Sequence, residues 1–574
     1  MICAAALPLA GAELPDGNGL VSAEEYTVST ETGTVTFSYD IQDDGTVMIT
    51  GCDRSVAGEL EIPSEIDEKA VTGIWNTAFY DLEYLTKVVI PDSVTSIGWQ
   101  AFSNCEALSE IVIPDSVEYI GGSAFSETAW LKNKQTENPL VIVNGILIDG
   151  STCSGSVVIP DGVVYIAGSA FSNCTALEEI AIPDGVVYIA ENAFAGCTAL
   201  SKITIPESVK YIEDNSFSET AWLKAKREEN SLVIVNDIVI DGTTCSGSVV
   251  IPDNVTSILS FAFYKCESLT EITIPSGVES IEDGTFVDCT NLEKVNLSDG
   301  IISIGNRAFE SCTSLKEIIF PDSTTTIGYW AFLRCTNLDT VEIPKNITMI
   351  GQRAFMGTSW LAKKQKEDPL VIVDEILIDG STCTGNVVVP DNVTKMCGYT
   401  FFGCETLQEV KIPEGITSIG DCTFGNCSSL KSATIPSSVT YIHEDAFIEC
   451  EELTDIYYSG TKEQWDAIED NGGLIWLYDL GRITIHFSDG TKTLLKADLD
   501  GDGKVDTNDV FEAMLYVAYR GAGMSGNLTD DQIAAADIDG DGSVDSTDVY
   551  YILYYVALQG AGKNPTWDFV LGRK

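Results

Sequence analysis

The chain has 574 residues, with 87 acidic against 32 basic side chains and a formal charge of −55. That balance excludes nucleic acid and anionic membrane surfaces as partners, since both would repel it. A hydrophobic content of 44% excludes wholesale disorder, the length allows several domains, and no apolar run reaches a membrane span.

Ile2 to Ala12 has the look of the tail of a secretory signal, with Ala10-Gly11-Ala12 as an A-x-A cleavage site but no basic segment ahead of it. Residues 1–12 are therefore read as a signal-peptide remnant and the protein as secreted. Residues 20–80 form an N-terminal cap: Val35 to Tyr39 and Thr46 to Thr50 alternate like strands, and Asp44-Gly45 between them signals a hairpin.

Residues 81–450 rewrite one text, seen best from Leu108 to Phe125: L-S-E-I-V-I-P-D-S-V-E-Y-I-G-G-S-A-F. Its Ile-Pro pair recurs at Ile90, Ile113, Ile159, Ile182, Ile205, Ile251, Ile274, Ile343, Ile412 and Ile435, always 23 residues or a multiple apart. A fixed period of this size signals stacked repeats, each too small to bury its own apolar face. Leu108, Ile111 and Ile113 spell a strand with one buried face, and Pro114, lacking an N–H, ends it. Val117 and Ile120 return to the core, and Ala124-Phe125 are expected on a short helical or 3₁₀ return. Cysteines keep the same phase at 105, 174, 197, 266, 289, 312, 335, 404, 427 and 450. A column of this kind fits small buried side chains in a tight turn better than metal ligands, which must converge. Asp92, Asp115, Asp161, Asp184, Asp253, Asp322 and Asp391 follow the prolines as turn residues, with a cation stripe as the other reading. Period and strand text resemble the bacterial BspA-like subclass of leucine-rich repeats, with its I-P and A-F signatures. The resemblance implies an α/β-type solenoid of mostly short strands and turns. One departure is that no Asn or Cys follows the strand; the Cys lies upstream of the Leu.

Three repeats are long: Phe125 to Pro160, Phe217 to Pro252 and Phe355 to Pro390. Each holds a Trp, a Lys-rich helical turn and a double apolar run. Asn144-Gly145, between β-branched runs, signals a type I′ hairpin, with Asn236-Asp237 and Asp374-Glu375 in its place elsewhere. Trp130, Trp222 and Trp360, beside Lys132, Lys134, Lys224, Lys226, Arg227, Lys363, Lys364 and Lys366, are either anchors of a return helix or a row of ligand platforms for a glycan or protein. Residues 451–490 close the solenoid, with a capping helix from Thr461 and a last strand from Ile483 to Phe487. His443 and His486 are the only histidines and carry no partner motif.

The text changes at residues 494–574. Asp498, Asp500, Asp502, Asp506 and Asp509 take positions 1, 3, 5, 9 and 12 of a calcium loop, and Asp537, Asp539, Asp541, Asp545 and Asp548 repeat it. Alternate positions in a tight loop aim hard carboxylate oxygens at one point, as calcium requires. Gly503 and Gly542 permit the sharp turn, and Lys504 and Ser543 supply backbone carbonyls. Apolar helices follow each loop, Val510 to Tyr519 and Val549 to Leu558, and no helix with EF-hand spacing is expected ahead of either. Two loop–helix units with Asp at the last position resemble a type I-style dockerin, a small all-α module. That resemblance implies two calcium ions and a cohesin partner on a scaffold protein, of a cellulosome or another cell-surface complex. It assigns cohesin recognition to Thr507-Asn508 and Ser546-Thr547. Met514, Leu515 and Tyr516 in one helix and Leu553, Tyr554 and Tyr555 in the other exceed what a small core can hide, so the cohesin face is read as hydrophobic, with Phe511, Leu515, Tyr550, Tyr551 and Tyr554 on it.

No nucleophile triad, nucleotide loop or zinc motif is left over. The reading is a secreted, non-catalytic binding protein, with its solenoid presenting a protein or glycan ligand surface and its dockerin fixing that surface to a scaffold. An accessory or divergent enzyme subunit of a polysaccharide-degrading complex is the first alternative, and an adhesin or protease inhibitor the second.

Overall fold

The structure, a computed structural model, describes residues 24–30, 33–42, 44–469, 483–491, 496–501, 504–563, 565 and 567–572. The expected signal remnant (1–12), Asp502 and Gly503 of the first loop, and residues 470–482 lie outside these. The chain divides into two units, Met1–Thr324 with Cys335–Glu342, and Thr325–Arg334 with Ile343–Lys574.

The first unit opens on an antiparallel meander of Glu24–Thr30, Gly33–Ile41 and Val47–Cys52. Its hairpin turns at Asp44-Gly45, where Gly45 has φ 81° and the Asp44 carboxylate accepts from the Thr46 N–H at 2.9 Å. Val47–Cys52 then pairs in parallel with Lys69–Ile74, which starts a ladder of short strands continued by Ser96–Ile97 and Tyr119–Ile120. A second ladder of longer strands starts at Ala57–Glu61 and runs through Tyr84–Val89 to Glu110–Val112. Between the ladders the periodic apolar side chains fill the interior. Phe79, Phe102 and Phe125 stack with centroids 4.9 and 5.8 Å apart, and Phe171, Phe194 and Phe217 at 5.0 and 5.7 Å. These separations follow the distance between hydrogen-bonded strands, so a residue repeated at each turn packs on its own copies. On the outer face of the long-strand ladder, charges alternate: Lys87 lies 3.6 Å from Glu59 and 3.2 Å from Glu110, Lys202 pairs with Glu179, and Lys294 lies 3.2 Å from Glu271.

The expected helical return at Ala-Phe is corrected. The segment is a run of turns between two left-handed residues, such as Ser123 (φ 56°) and Glu127 (φ 63°) around Ala124-Phe125. Its amides bond to the next rung, with the Phe102 N–H reaching the Ala124 carbonyl at 2.8 Å and the Phe171 N–H the Ala193 carbonyl at 2.8 Å. A helix would close those bonds on itself and could not join rung to rung.

The long repeats insert α1 (Ala129–Glu137) and α2 (Ala221–Glu229) in the first unit and α3 (Ser359–Glu367) in the second. Each is capped by a threonine, Thr128, Thr220 or Thr358, whose hydroxyl accepts the N–H of the helix leucine at 3.1 Å. Hairpins follow as expected, and Asn144-Gly145, Asn236-Asp237 and Asp374-Glu375 all have positive φ at both positions, as a type I′ turn needs.

In the second unit, Phe401, Phe424 and Phe447 stack at 5.2 and 5.0 Å. The ladder ends on Asp455–Tyr458 and Thr484–His486, and α4 (Lys462–Glu469) buries Trp465 completely. The C-terminal region is all helical, with α5 (Thr507–Gly521), α6 (Asp530–Ala536), α7 (Ser546–Gly560) and α8 (Trp567–Leu571). Val510, Ala513, Tyr516, Ile538, Ile552 and Trp567 form its core. The short α6, unexpected from the sequence, runs straight into the second loop, and its Gln532 amide donates to the Leu499 carbonyl of the first loop at 2.6 Å.

Candidate functional site

Each loop folds around its last aspartate. Asp509 is 1% exposed; one of its oxygens accepts the N–H of Leu499 at 2.6 Å and of Asp500 at 3.3 Å, and the other accepts the Asp506 N–H at 2.7 Å. Asp548 repeats this with Ile538, Asp539 and Asp545 at 2.7, 3.3 and 2.8 Å. Burial pushes both carboxyls up, while these backbone donors pull the other way. Gly542, at φ 82°, gives its N–H to Asp537 at 2.9 Å, and Asp541 accepts from the backbone and hydroxyl of Ser543 at 2.8 and 2.7 Å.

The carboxylates of Asp498, Asp500 and Asp509 converge, with one oxygen of each within 4.8 Å of the others, and those of Asp537, Asp539 and Asp541 do the same. Two oxygens on opposite sides of a calcium ion lie about that far apart, since each bond is about 2.3–2.6 Å. The donor set, hard anionic oxygens with no nitrogen or sulfur, suits calcium. Asp506 and Asp545 sit outside the tight groups and instead cap α5 and α7, accepting the N–H of Asn508 at 2.7 Å and of Thr547 at 2.6 Å. Lys504 and Ser543, each the seventh residue of its loop, are exposed.

Of the residues read as partner-facing, Thr507, Asn508, Phe511, Ser546, Thr547, Tyr550 and Tyr554 are exposed, while Leu515 and Tyr551 are half-buried. Phe511 and Tyr550 show 64% and 59% of their surface, far more than a folded core leaves open on large apolar residues. Met514 and Leu553, read from the sequence among the apolar residues of these helices, are exposed as well, three residues on from Phe511 and Tyr550, and Phe569, not assigned from the sequence, is a further exposed ring.

The family model for the BspA type leucine rich repeat region matches residues 60–145, 150–258, 234–362 and 379–469, in six copies. The chain belongs to the BspA type leucine rich repeat family. A second model, the dockerin type I domain, matches residues 496–556, the segment that carries both loops. Among solved structures, this leucine rich repeat protein is similar to a leucine rich cell surface protein from Faecalibacterium prausnitzii, at 26% identity over 79% of this chain and 99% of that one, with a TM-score of 0.23. It is also similar to a leucine-rich repeat protein from Bacteroides ovatus, at 25% identity over 56% and 90% with a TM-score of 0.24, and to one from Bacteroides capillosus, at 30% identity over 27% and 96% with a TM-score of 0.17. No curated protein matches the chain.

Within the BspA type repeats, the tryptophan platform is corrected. Trp130, Trp222 and Trp360 are 7%, 7% and 8% exposed and pack on Phe125, Phe217 and Phe355 at 5.0, 5.0 and 4.9 Å. They anchor the inserted helices, because an indole over the phenylalanine column is the largest apolar area each insert can bury. The basic residues beside them are engaged too: Lys134, Lys226 and Lys364 pair with glutamates one turn on, and Arg227 forms a forked pair with Asp241. The cysteine column is buried, and each thiol donates to a carbonyl of an earlier turn, such as Cys105 to Phe79 at 3.0 Å and Cys427 to Phe401 at 3.1 Å. His486 bonds to Asp455 at 2.7 Å and stacks on Tyr457, and His443 accepts the Asp445 N–H at 3.1 Å.

Proposed function

We propose that the chain is a secreted, non-catalytic binding protein. Its repeats present a ligand-binding surface, and its C-terminal module fixes that surface, in a calcium-dependent way, to a cohesin on a scaffold of a cellulosome or the cell surface. The reading is carried by the pairing of two carboxylate-lined loops with two helices whose apolar side chains face outward. Each loop holds one calcium ion, in the first through Asp498, Asp500, Asp509 and, by loop position, Asp502 and Asp506. In the second loop the ligands are Asp537, Asp539, Asp541 and, by loop position, Asp545 and Asp548. Bound calcium neutralises carboxylates that otherwise repel one another beside a buried Asp509 or Asp548, so metal binding supports the fold that displays the helices. The partner lands on Thr507, Asn508, Phe511, Ser546, Thr547, Tyr550 and Tyr554. The second helix carries more tyrosine and makes most of the contact.

The test is titration of cohesins of different specificity classes onto the full chain, in calcium and in EDTA. Thr507-Asn508 and Ser546-Thr547 are replaced, one pair at a time, by arginines. Binding that survives in EDTA refutes the calcium dependence, and equal small losses for the two pairs refute a dominant second helix.

A further inference from the structure

The three long repeats are near-copies, and their differences mark a site. Each has a cleft between the helix, the hairpin strand and the following turn. An aspartate lines its floor (Asp149, Asp241 or Asp379), bonded to the helix by Gln135, Arg227 or Gln365. The first cleft has a volume of about 30 Å³, the second about 180 Å³ and the third about 270 Å³. A water occupies about 30 Å³ and a cavity of about 150 Å³ takes a six-membered ring, so only the second and third admit one. The residues that build the larger clefts come from the following turn. Where the first copy has Ser169 and Ser172, the second has Phe261 and Tyr264 and the third Tyr399 and Phe402.

Phe261 and Tyr399 occupy a left-handed position, with φ 57° and 61°, which bulky residues avoid. Other turns fill the same position with Asn192, Ser169, Gly284 or Arg353, and once with Trp330, so the fold does not require a ring there. Phe261 and Tyr399 bear that strain where their side chains line the second and third clefts.

The second and third clefts differ in chemistry. In the second, Arg227 saturates the carboxylate of Asp241. In the third, Gln365 spends its N–H₂ on Asp379 at 2.8 Å and Ser381 at 3.2 Å, and the Ser381 hydroxyl lies 3.1 Å from both oxygens of Asp379; these neutral donors leave the Gln365 carbonyl and the remaining lone pairs of the Asp379 carboxylate as acceptors. Above them the guanidinium of Arg353 lies 3.8 Å from the ring centre of Tyr399 and 4.8 Å from that of Phe402. Among the described residues no carboxylate pairs with Arg353, in a chain of net charge −55. The site therefore asks for a ring-sized ligand with hydroxyl donors on one side and a single anion on the other.

We propose that the cleft of the third long repeat, through Arg353, Gln365, Asp379, Tyr399 and Phe402, binds a uronic acid residue of an acidic glycan. Hydroxyls of the sugar donate to Asp379 and Gln365, its carboxylate pairs with Arg353, and its ring lies against the aromatic edges. The proposal rests on the binding-protein reading above and names the class of ligand.

Calorimetric titration of the full chain with trimers of galacturonic and glucuronic acid, and with the neutral galactose and glucose trimers, tests it. Binding of at least one acidic trimer, at least tenfold tighter than its neutral counterpart, is expected. The double substitution Tyr399→Ser/Phe402→Ser uses the side chains the first copy carries and should abolish binding. Arg353→Asn, the residue the second copy has as Asn215, should remove the preference for acid. No binding of either acidic trimer, equal binding of neutral and acidic trimers, or unchanged affinity in the double variant overturns the proposal. Cohesin titration of the same samples reports on the anchoring reading separately.

Discussion

Replacing Asp548 by asparagine keeps its shape and changes one charge and one set of lone pairs. In the native loop its two oxygens accept three backbone N–H groups, from Ile538, Asp539 and Asp545. An asparagine oriented to keep the bonds to Ile538 and Asp539 turns its N–H₂ toward the Asp545 N–H. Turning the amide over loses the other two bonds instead. The better choice still loses one bond to a charged acceptor and leaves a donor facing a donor at a site 1% exposed. With the lost bond to a charged group worth about 1.5–3 kcal/mol and the two donors left facing each other costing about 1 kcal/mol more, the loss is roughly 2–4 kcal/mol. If all of it falls on the metal-bound form, calcium affinity of the second loop drops roughly thirtyfold to several hundredfold. Calorimetric calcium titration of the full chain resolves this as one weakened site beside one nearly unchanged site. Two weakened sites would show the loops coupled through Gln532, while a wild-type titration with an unchanged unfolding midpoint would refute the argument that Asp548 organises the loop.

The buried cysteine column should resist alkylation in the native state, because reagent cannot reach thiols packed inside the solenoid; among the described cysteines, the partly exposed Cys52 and Cys422 should label first although their thiols too are pushed up, to about 12 and about 11, as mass spectrometry will show. Trp360→Ala should destabilise the fold by about 3–5 kcal/mol in urea unfolding, the range for a buried large aromatic, while glycan titration isolates any ligand effect. Asp214 is pushed up to about 6, chiefly by burial. Its folded form thus holds a proton the unfolded chain releases, and stability falls as pH rises from about 4 to about 6. After discounting for its partial exposure, the wild type should lose about 1–2 kcal/mol over that window that Asp214→Asn does not, measured by urea unfolding at each pH.

The period, the phenylalanine and cysteine columns, the hairpins and the calcium loops were all legible in the sequence, because each depends on a residue type recurring at a fixed place. What escaped was set by neighbours in space. Trp130 beside Lys132 and Lys134 spells an exposed amphipathic turn as readily as a buried anchor, and only the Phe125 ring beneath it decides. Ala124-Phe125 has the composition of a short helix, yet the Ala124 carbonyl is claimed by the Phe102 N–H of the preceding turn. Helix α6 is short, but its capping box at Thr529 and Gln532 was a readable signal. Tyr399 and Phe402 stood in columns that mix small and polar residues with large ones such as Trp330 and Leu333, and the missing clue was what lies across the cleft from them.

The alternating charges on the long-strand ladder also bear on how such a chain folds at all. Turns this alike in text could pair with the wrong neighbour and still bury the same isoleucines. If the strand Tyr84–Val89 were skipped, Glu59 would face Glu110 with no Lys87 between them, and like charges directly opposite destabilise a pair. Lys202 likewise answers Glu179 and Lys294 answers Glu271, so a stack that skipped either pairing would lose an attractive contact. Exposed pairs of this kind add little to the finished fold. Their effect is to let the chain count its own turns, so that a miscounted stack is worse than the correct one although its interior is identical.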